Sequence, residues 1–442
     1  MASTRVSRNE VDPQGNRKTF TLSQWIKRTK LGVEGAIFTH RYTNAYYFHI
    51  RFNTDDTLKI QEYSNSSQTL NLQTNRKFRD TNAWYHIVVT MDTTQATDSN
   101  RMKLYVNGVQ ETSLAAVSYP SQNLDLIIDG GAGYASHYGD RGDGGMYFDG
   151  LISHANYTQG TAYDASAFGS TDSTTGEWKI NTSPSVTYGS KGYFIFKDGN
   201  SVTDQSGNSN NFSVGAGTFT KTEDNPSNVF ATWNPLQATT SASYTFEAGN
   251  TRIAVNDVDM SCGATLGAKT GKFYMEMKWV QQGGNDRWGI QPVNSNVNQH
   301  VRTNGVGWDQ SSNQFYMLGS TVSGSWGGSI GTSDIIQLAM DLDNGALYLG
   351  VNGTWRNSGS PTSGSSKTGA VDFSGTSLFG KFLTFAVGKG NNGTSGWNAN
   401  FGNGYIEQTA VSSAGTNASG NGIFEYDVPT GYTALSTKGI NS

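Results

Sequence analysis

Apolar and polar residues alternate in short runs along the whole chain, and most runs are closed by a turn of Asn, Asp, Gly or Ser. A period of two puts successive side chains on opposite faces of an extended strand, so each run reads as a strand with one buried face. In TFTLSQWIKR at 19–28, Phe20, Leu22 and, around a local irregularity, Trp25 and Ile26 are expected to point inward. AYYFHIRF at 45–52 and TLKIQEY at 57–63 follow as consecutive antiparallel strands, then WYHIVVTMD at 84–92 and MKLYVNGVQ at 102–110. Asn107-Gly108 occupies the place where a tight hairpin needs positive φ at two successive residues.

The same reading holds further on. GKFYMEMKWV at 271–280 puts Phe273, Met275 and Met277 on one face and Tyr274, Glu276 and Lys278 on the other. IIQLAMDLDNGALYLGVNGTW at 335–355 predicts a three-strand meander turning at Asn344-Gly345 and Asn352-Gly353, and LTFAVGKG at 383–390 predicts another core strand. Helical signal is confined to a turn around Asp164 to Phe168. The fold class is all-β: two antiparallel β-sandwich domains of jelly-roll type in tandem.

The chain has 442 residues, more than one hydrophobic core usually serves. Fifty-four Gly against 8 Pro, 12% aromatic and 15% charged residues agree with short aromatic-rich strands joined by flexible turns. A net charge of -4 gives no chain-wide attraction to phosphate backbones or anionic lipid, so nucleic acid is not an expected partner. The single cysteine, Cys262, excludes an intrachain disulfide and reads as a small buried filler. No apolar run reaches the ~20 residues of a membrane helix, and MASTRVSRNE lacks the apolar centre of a secretory signal. The expectation is a chain made in the cytoplasm without membrane insertion.

The organisation expected is a basic N-terminal arm over 1–18, a first sandwich over 19–224, a second over 225–410 and an extension over 411–442. The arm carries Arg5, Arg8, Arg17 and Lys18 and would be free to dock on a neighbouring subunit. A polar bridge from Asp198 to Asn225-Pro226 joins the domains. SGSPTSGSSKTGAV at 358–371 reads as a disordered insertion or a binding loop.

WYHIVVTMD, RMKLYVNG and FDGLISHANY, in that order, resemble the laminin-G or concanavalin A-like jelly-roll family across roughly 15–215. GKFYMEM, Gly307-Trp308-Asp309, DLDNGALYLGVNG and FGN at 401–403 resemble a SPRY-type domain. DQSGNSNNFSV, DNPSNVFATWNPL and the tail FEYDVPTGYTALST resemble phage structural proteins carrying both domains in this order. That resemblance implies a virion component, in a tail fibre, spike or head-surface appendage, whose edge loops bind glycans or proteins.

Catalytic signals are weak. Concanavalin A-like folds also host glycoside hydrolases, which need two carboxylates flanking a sugar. The spacing Glu-x-Asp-x-x-Glu is absent, Asp341 and Asp343 are split by the start of a turn, and Glu276 reads as an isolated, solvated acid. The six histidines lack paired zinc spacing, and no Ser-His-Asp order is visible. No cofactor is expected. Calcium is the one metal alternative, through Asp125, Asp129, Asp140, Asp143 and Asp149, although the spacing is not that of a 12-residue calcium loop. Arg141-Gly142-Asp143 is read as a turn and not as an adhesion motif.

Sugar recognition asks for an aromatic platform with polar groups around it. The ligand-binding candidates are Tyr134, His137 and Tyr138 with Asp140 and Asp143 in the first domain, and Trp308, Trp326 and Trp355 in the second. Core packing competes for Trp308, and a subunit contact competes for the Tyr134 loop. The expectation is therefore a non-enzymatic virion protein, homo-oligomeric, whose partners are other virion proteins and a host-surface glycan. The alternatives are a free carbohydrate-binding adhesin and, third, a glycan hydrolase.

Overall fold

The computed structural model describes residues 4–442 apart from 12–14, 198–200, 238–242, 257–259, 282, 297 and 391–392. The protein is almost entirely β and forms two compact units, Met1–Lys221 and Thr222–Ser442. Among the described residues no helix is long and apolar enough to cross a membrane. The Asp198 start of the expected bridge lies outside the described residues.

In the first unit an eight-stranded sheet runs in the order Leu114–Ser118, Ser67–Lys77, Thr57–Ser64, Tyr46–Phe52, Gly35–Thr43, Ala135–Tyr138, Arg5–Asn9, Ser213–Ala216. A six-stranded sheet runs Tyr193–Ile195, Gly150–Gln159, Thr19–Arg28, Trp84–Asp92, Met102–Val106, Val109–Gln110. Alternation builds the core between them, with Phe48, Ile50 and Phe52 from one sheet meeting Phe20, Leu22 and Ile26 from the other.

Trp25 departs from the expected orientation. It points to the opposite face of its strand and stacks on His86 at 4.7 Å and 13°, while Trp178 meets the edge of that imidazole, its indole N–H on Nδ1 at 2.9 Å. The irregularity lies in the neighbouring strand, where register shifts between Ser153 and Asn156 and His154 takes φ 49°. Both faces of the six-stranded sheet are thus covered here, which period-two reasoning with one buried face does not foresee.

Arg5–Asn9 is not a free arm. It is a strand between Ala135–Tyr138 and Ser213–Ala216, with Val6 in the core. The later part of the expected bridge supplies that last strand and buries Phe212, while the Asp204 carboxylate accepts the amides of Phe194, Ser206 and Asn210. Backbone pairing and turn capping, not hydrophobicity, hold this polar segment in the fold.

In the second unit the main sheet runs Ser243–Glu247, Arg252–Asn256, Thr394–Asn400, Lys272–Gln281, Ile335–Asp341, Ala346–Val351, Thr354–Trp355. It faces a six-stranded sheet of Met260–Gly263, Leu383–Lys389, Asp286–Pro292, Val306–Asp309, Gln314–Met317 and Ser320–Val322. Phe273, Met275 and Met277 lie in the core between them, and Cys262 is buried there too. Asn352 and Gly353 take φ 48° and 80°, as a two-residue hairpin demands. At the other turn Gly345 has φ 72° and Asn344 instead ties its side chain to Asp341 at 2.9 Å, closing a longer turn.

The outer face of the main sheet is also buried. Tyr274, Ala339 and Tyr348 form a second core with Phe424, Val428, Tyr432 and Ala434 from the C-terminal segment. Glu276 is accordingly not solvated: it is fully buried and accepts hydrogen bonds from the Tyr274 phenol and the amides of Glu425 and Tyr426. The 358–371 loop is ordered by the same packing, with Pro361 buried and its carbonyl accepting from the Tyr432 phenol at 3.1 Å.

Candidate functional site

The Gly-rich segment after Tyr138 folds back over the outer face of the eight-stranded sheet. Asp140, fully buried, holds this turn by accepting the Gly142 amide at 2.8 Å and the Gly144 amide at 3.3 Å, with Arg5 at 3.3 Å. Gly142, at φ 87°, lies so close over His137 that a Cβ would come 2.6 Å from the ring, so only glycine fits. Asp143 bridges Arg41 at 2.7 Å and Arg141 at 2.8 Å. These bonds, Arg141 first, hold the Asp143 carboxyl well below the usual carboxylate range. The Arg-Gly-Asp tripeptide is thus closed on itself.

Strand register sets what lies beneath this turn. His137 pairs with Thr39, Thr39 with His49, His49 with Gln61 and Gln61 with Asn71, which makes one polar row across five strands on a single face. In the next rows Arg41 pairs with Tyr47 and Tyr47 with Tyr63, while Arg51 pairs with Lys59. The Tyr47 and Tyr63 rings stack at 5.0 Å and 23°, and Gln61 donates to the Tyr47 hydroxyl at 3.1 Å. Together Arg41, Asn44, Tyr47, His49, Arg51, Gln61, Arg141 and Met146 line a cavity of about 200 Å³. Burial, followed by Arg51, Lys59 and Arg141, holds His49 down to about 3, so its imidazole is neutral at pH 7.

The sequence candidates divide against this geometry. Asp143 does not line the cavity but pairs with two arginines that do, and His137 is on its polar row but only 8% exposed. Tyr134 is half-buried, stacking on His40 at 5.4 Å and meeting the exposed Tyr42 at a tilt of 34° and 5.3 Å. Two first-unit candidates need correction. Tyr138 is in the core, its hydroxyl 3.2 Å from that of Tyr193, because alternation turns it away from the His137 face. Asp140 offers no free oxygen, because its carboxylate builds the turn.

The second-unit candidates do not form a common surface. Trp308 and Trp326 are core residues packed on either side of Phe315 at 5.5 and 4.8 Å, and their indole N–H groups are used on Gln310 and the Val322 carbonyl. Trp355 is half-buried against Tyr274 on the other face of the main sheet. For Trp308 the competing reading, core packing, is the one that holds: it lies in the strand Val306–Asp309 with its side chain in the core.

The aspartates weighed for calcium do not converge on a common point, and Asp129, Asp140 and Asp143 are used in bonds of their own. Asp129 takes the Tyr157 phenol at 2.6 Å and Gln159 at 3.0 Å, and burial pushes it up to about 6. Among the described residues no three His, Cys, Asp or Glu side chains gather as metal ligands. Asp341 pairs with Lys272 at 3.0 Å and Asp343 accepts the Gly271 amide at 2.7 Å.

Arg41, Tyr47, His49, Arg51 and Gln61 were missed by motif reasoning. The signal was present in AYYFHIRF and TLKIQEY: the residues alternating with Phe48, Ile50, Phe52, Leu58 and Ile60 are aromatic, basic or amide, not merely small and polar.

Residues 4–161 match the family model described as the concanavalin A-like lectin/glucanases superfamily (Laminin_G_3). That stretch supplies Arg41, Tyr47, His49, Arg51, Gln61 and Arg141, so the whole cavity lies within the match. No curated protein matches the chain. A putative carbohydrate binding protein from Bacteroides ovatus aligns at 18% identity over 37% of this chain and 43% of its own, with a TM-score of 0.28. The SPRY domain of human HERC1 aligns at 13% identity over 38% of this chain and 96% of its own, with a TM-score of 0.29. Mouse laminin alpha1 domains LG4-5 align at 8% identity over 90% of this chain and 85% of theirs, with a TM-score of 0.28. At such scores these structural likenesses carry no functional inference.

Proposed function

We propose that this protein is a non-enzymatic component of a bacteriophage virion, in a tail fibre, spike or head-surface appendage, whose first unit binds a host-surface glycan. The observation that supports binding is the Tyr47–Tyr63 stack beside a cavity lined by side chains able to hydrogen-bond hydroxyls. Pyranose rings pack an apolar face on such aromatics while amides, arginines and imidazole take their edges. The lectin/glucanase match over the same residues agrees with this reading. The virion assignment rests on the motif order in which the two sandwich types and their connecting segments occur.

Two measurements test it. Full-length protein on a glycan array is expected to bind a restricted set of structures, and Tyr47→Ala is expected to lower that binding at least tenfold while leaving the thermal transition of the second unit in place. Immunogold labelling of purified particles with an antibody to this chain is expected to decorate them. An array without signal would remove the glycan reading, and undecorated particles would remove the virion reading.

A further inference from the structure

The cavity on the first unit carries more positive charge than its own residues neutralise. Arg41, Arg51 and Arg141 line it, and Lys59 stands beside Arg51 in register. Against these four cations stand two carboxylates, Asp143 on Arg41 and Arg141, and Glu34 on Arg51. The excess is local, because the chain as a whole is at -4. Such an uncompensated cluster is a cost to the fold unless a counter-ion or ligand meets it.

An unmet donor points the same way. The Arg51 Nε atom is buried without a hydrogen-bond partner, in the same cavity as the His49 imidazole, itself only 2% exposed. A neutral imidazole carries one N–H in either tautomer and Gln61 stands beside it to take that proton, so Arg51 Nε is the donor left without an acceptor. A sugar hydroxyl satisfies such a donor and leaves the charge unopposed. A carboxylate or sulfate oxygen accepts from it and opposes the charge, which is the pairing that guanidinium geometry favours.

We infer that the glycan bound over this face is acidic, with the oxyanion of a carboxylated or sulfated sugar seated between Arg51, His49 and Arg141 and the ring lying toward Tyr47 and Tyr63. This rests on the glycan-binding reading above and names its ligand class. At about 200 Å³ the cavity is below the ~300–1,000 Å³ that encloses a whole drug-sized ligand. It therefore receives one residue of a saccharide chain, with the flanking residues on the open sheet face.

The test is calorimetric titration of the full chain with three size-matched oligosaccharides, one neutral, one built of uronic acids and one sulfated, together with a single-stranded DNA oligomer. Binding of either acidic saccharide is expected, with affinity falling as salt is raised and dropping tenfold or more in both Arg51→Gln and Arg141→Gln. Arg141 lies on the surface turn, so its variant reports even if Arg51→Gln fails to fold. Preference between the uronic and sulfated ligands identifies which oxyanion is native, and either one supports the inference. Binding of the neutral saccharide alone, unchanged in the arginine variants, overturns the acidic assignment and leaves the glycan reading standing. DNA held as tightly as the acidic saccharides overturns it as well, because charge alone would then account for binding. Failure of all three saccharides removes the glycan reading and this inference with it.

Discussion

The phenol of Tyr274 donates a 2.9 Å hydrogen bond to the carboxylate of Glu276, two residues along the same strand, on the sheet face that the C-terminal segment covers. Gln337 donates to the same phenol at 3.0 Å, and two backbone amides from 425–426 reach Glu276 at 2.8 Å. A single acid thereby ties the tail to the sandwich.

Glu276 should make the second unit more stable in mild acid. Burial is the largest influence and outweighs the three donors, pushing the carboxyl from 4.5 up to about 7. Since the folded value is the raised one, the favourable contribution is complete below the unfolded value and is lost as pH climbs through about 7. At about 1.4 kcal/mol per pH unit the swing is on the order of 3 kcal/mol. Urea midpoints of the second unit are expected to be higher at pH 5 than at pH 8, and Glu276→Gln, which mimics the protonated acid, should flatten that difference. An unchanged pH difference in the variant would refute the assignment.

Phe424 is the apolar half of the same attachment. Its ring meets Tyr274 edge-on at 4.9 Å and is 1% exposed. Phe424→Ala should cost about 3–5 kcal/mol, the range for a large aromatic removed from a core. Limited proteolysis should then cut first in the tail at 411–442. A variant as stable as the parent would mean that the outer face does not depend on this segment.

How far the sequence discloses the molecule depends on where each residue gets its partners. Phe20, Phe48, Ile50, Met275 and Leu349 were legible because their burial follows from alternation within one strand. Glu276 and Trp25 were not, because the layers that cover them come from segments 149 and 153 residues away. The Glu276 partner is the 425–426 backbone, and the Trp178 that meets the edge of the His86 ring under Trp25 belongs to the strand Trp178–Ile180. Of the site, Asp143 and His137 were within reach because both fall in the Gly-rich segment. Tyr47, His49 and Arg51 become a surface only through cross-strand register, which a single run does not state.

The hairpin at Asn107-Gly108 offers a local test. Gly108 has φ 80°, and a Cβ there would fall 2.3 Å from the Trp178 ring. Trp178 in turn donates its indole N–H to His86 Nδ1 at 2.9 Å, which leaves the Nε2 proton for Ser23. Gly108→Ala should therefore cost about 1–3 kcal/mol through backbone strain and displacement of the indole. Because burial holds His86 down to about 3, its ring signals in the parent should stay fixed between pH 7.5 and 5. In the variant, with the indole moved, they should begin to titrate. A silent ring in both proteins would show that Trp178 is not what seals the imidazole.

Asp309 separates burial from charge pairing. Its Oδ2 accepts from Arg287 at 2.8 Å and from Arg302 at 2.7 Å, while Oδ1 takes the Ser311 amide and hydroxyl. The Arg287 and Asp309 side chains are 2% and 0% exposed, but Arg302 is 30% exposed. Removing the carboxylate leaves two guanidinium groups facing each other, one of them out of water. Asp309→Asn is therefore expected to cost about 3–5 kcal/mol. Arg302→Gln removes a partner that water can replace, and should cost about 1 kcal/mol or less. Chemical denaturation of the two variants side by side checks the ordering. Equal losses would mean that the solvent-facing arginine matters as much as the buried one, and that the Arg287 pair is not the anchor of this end of the sandwich.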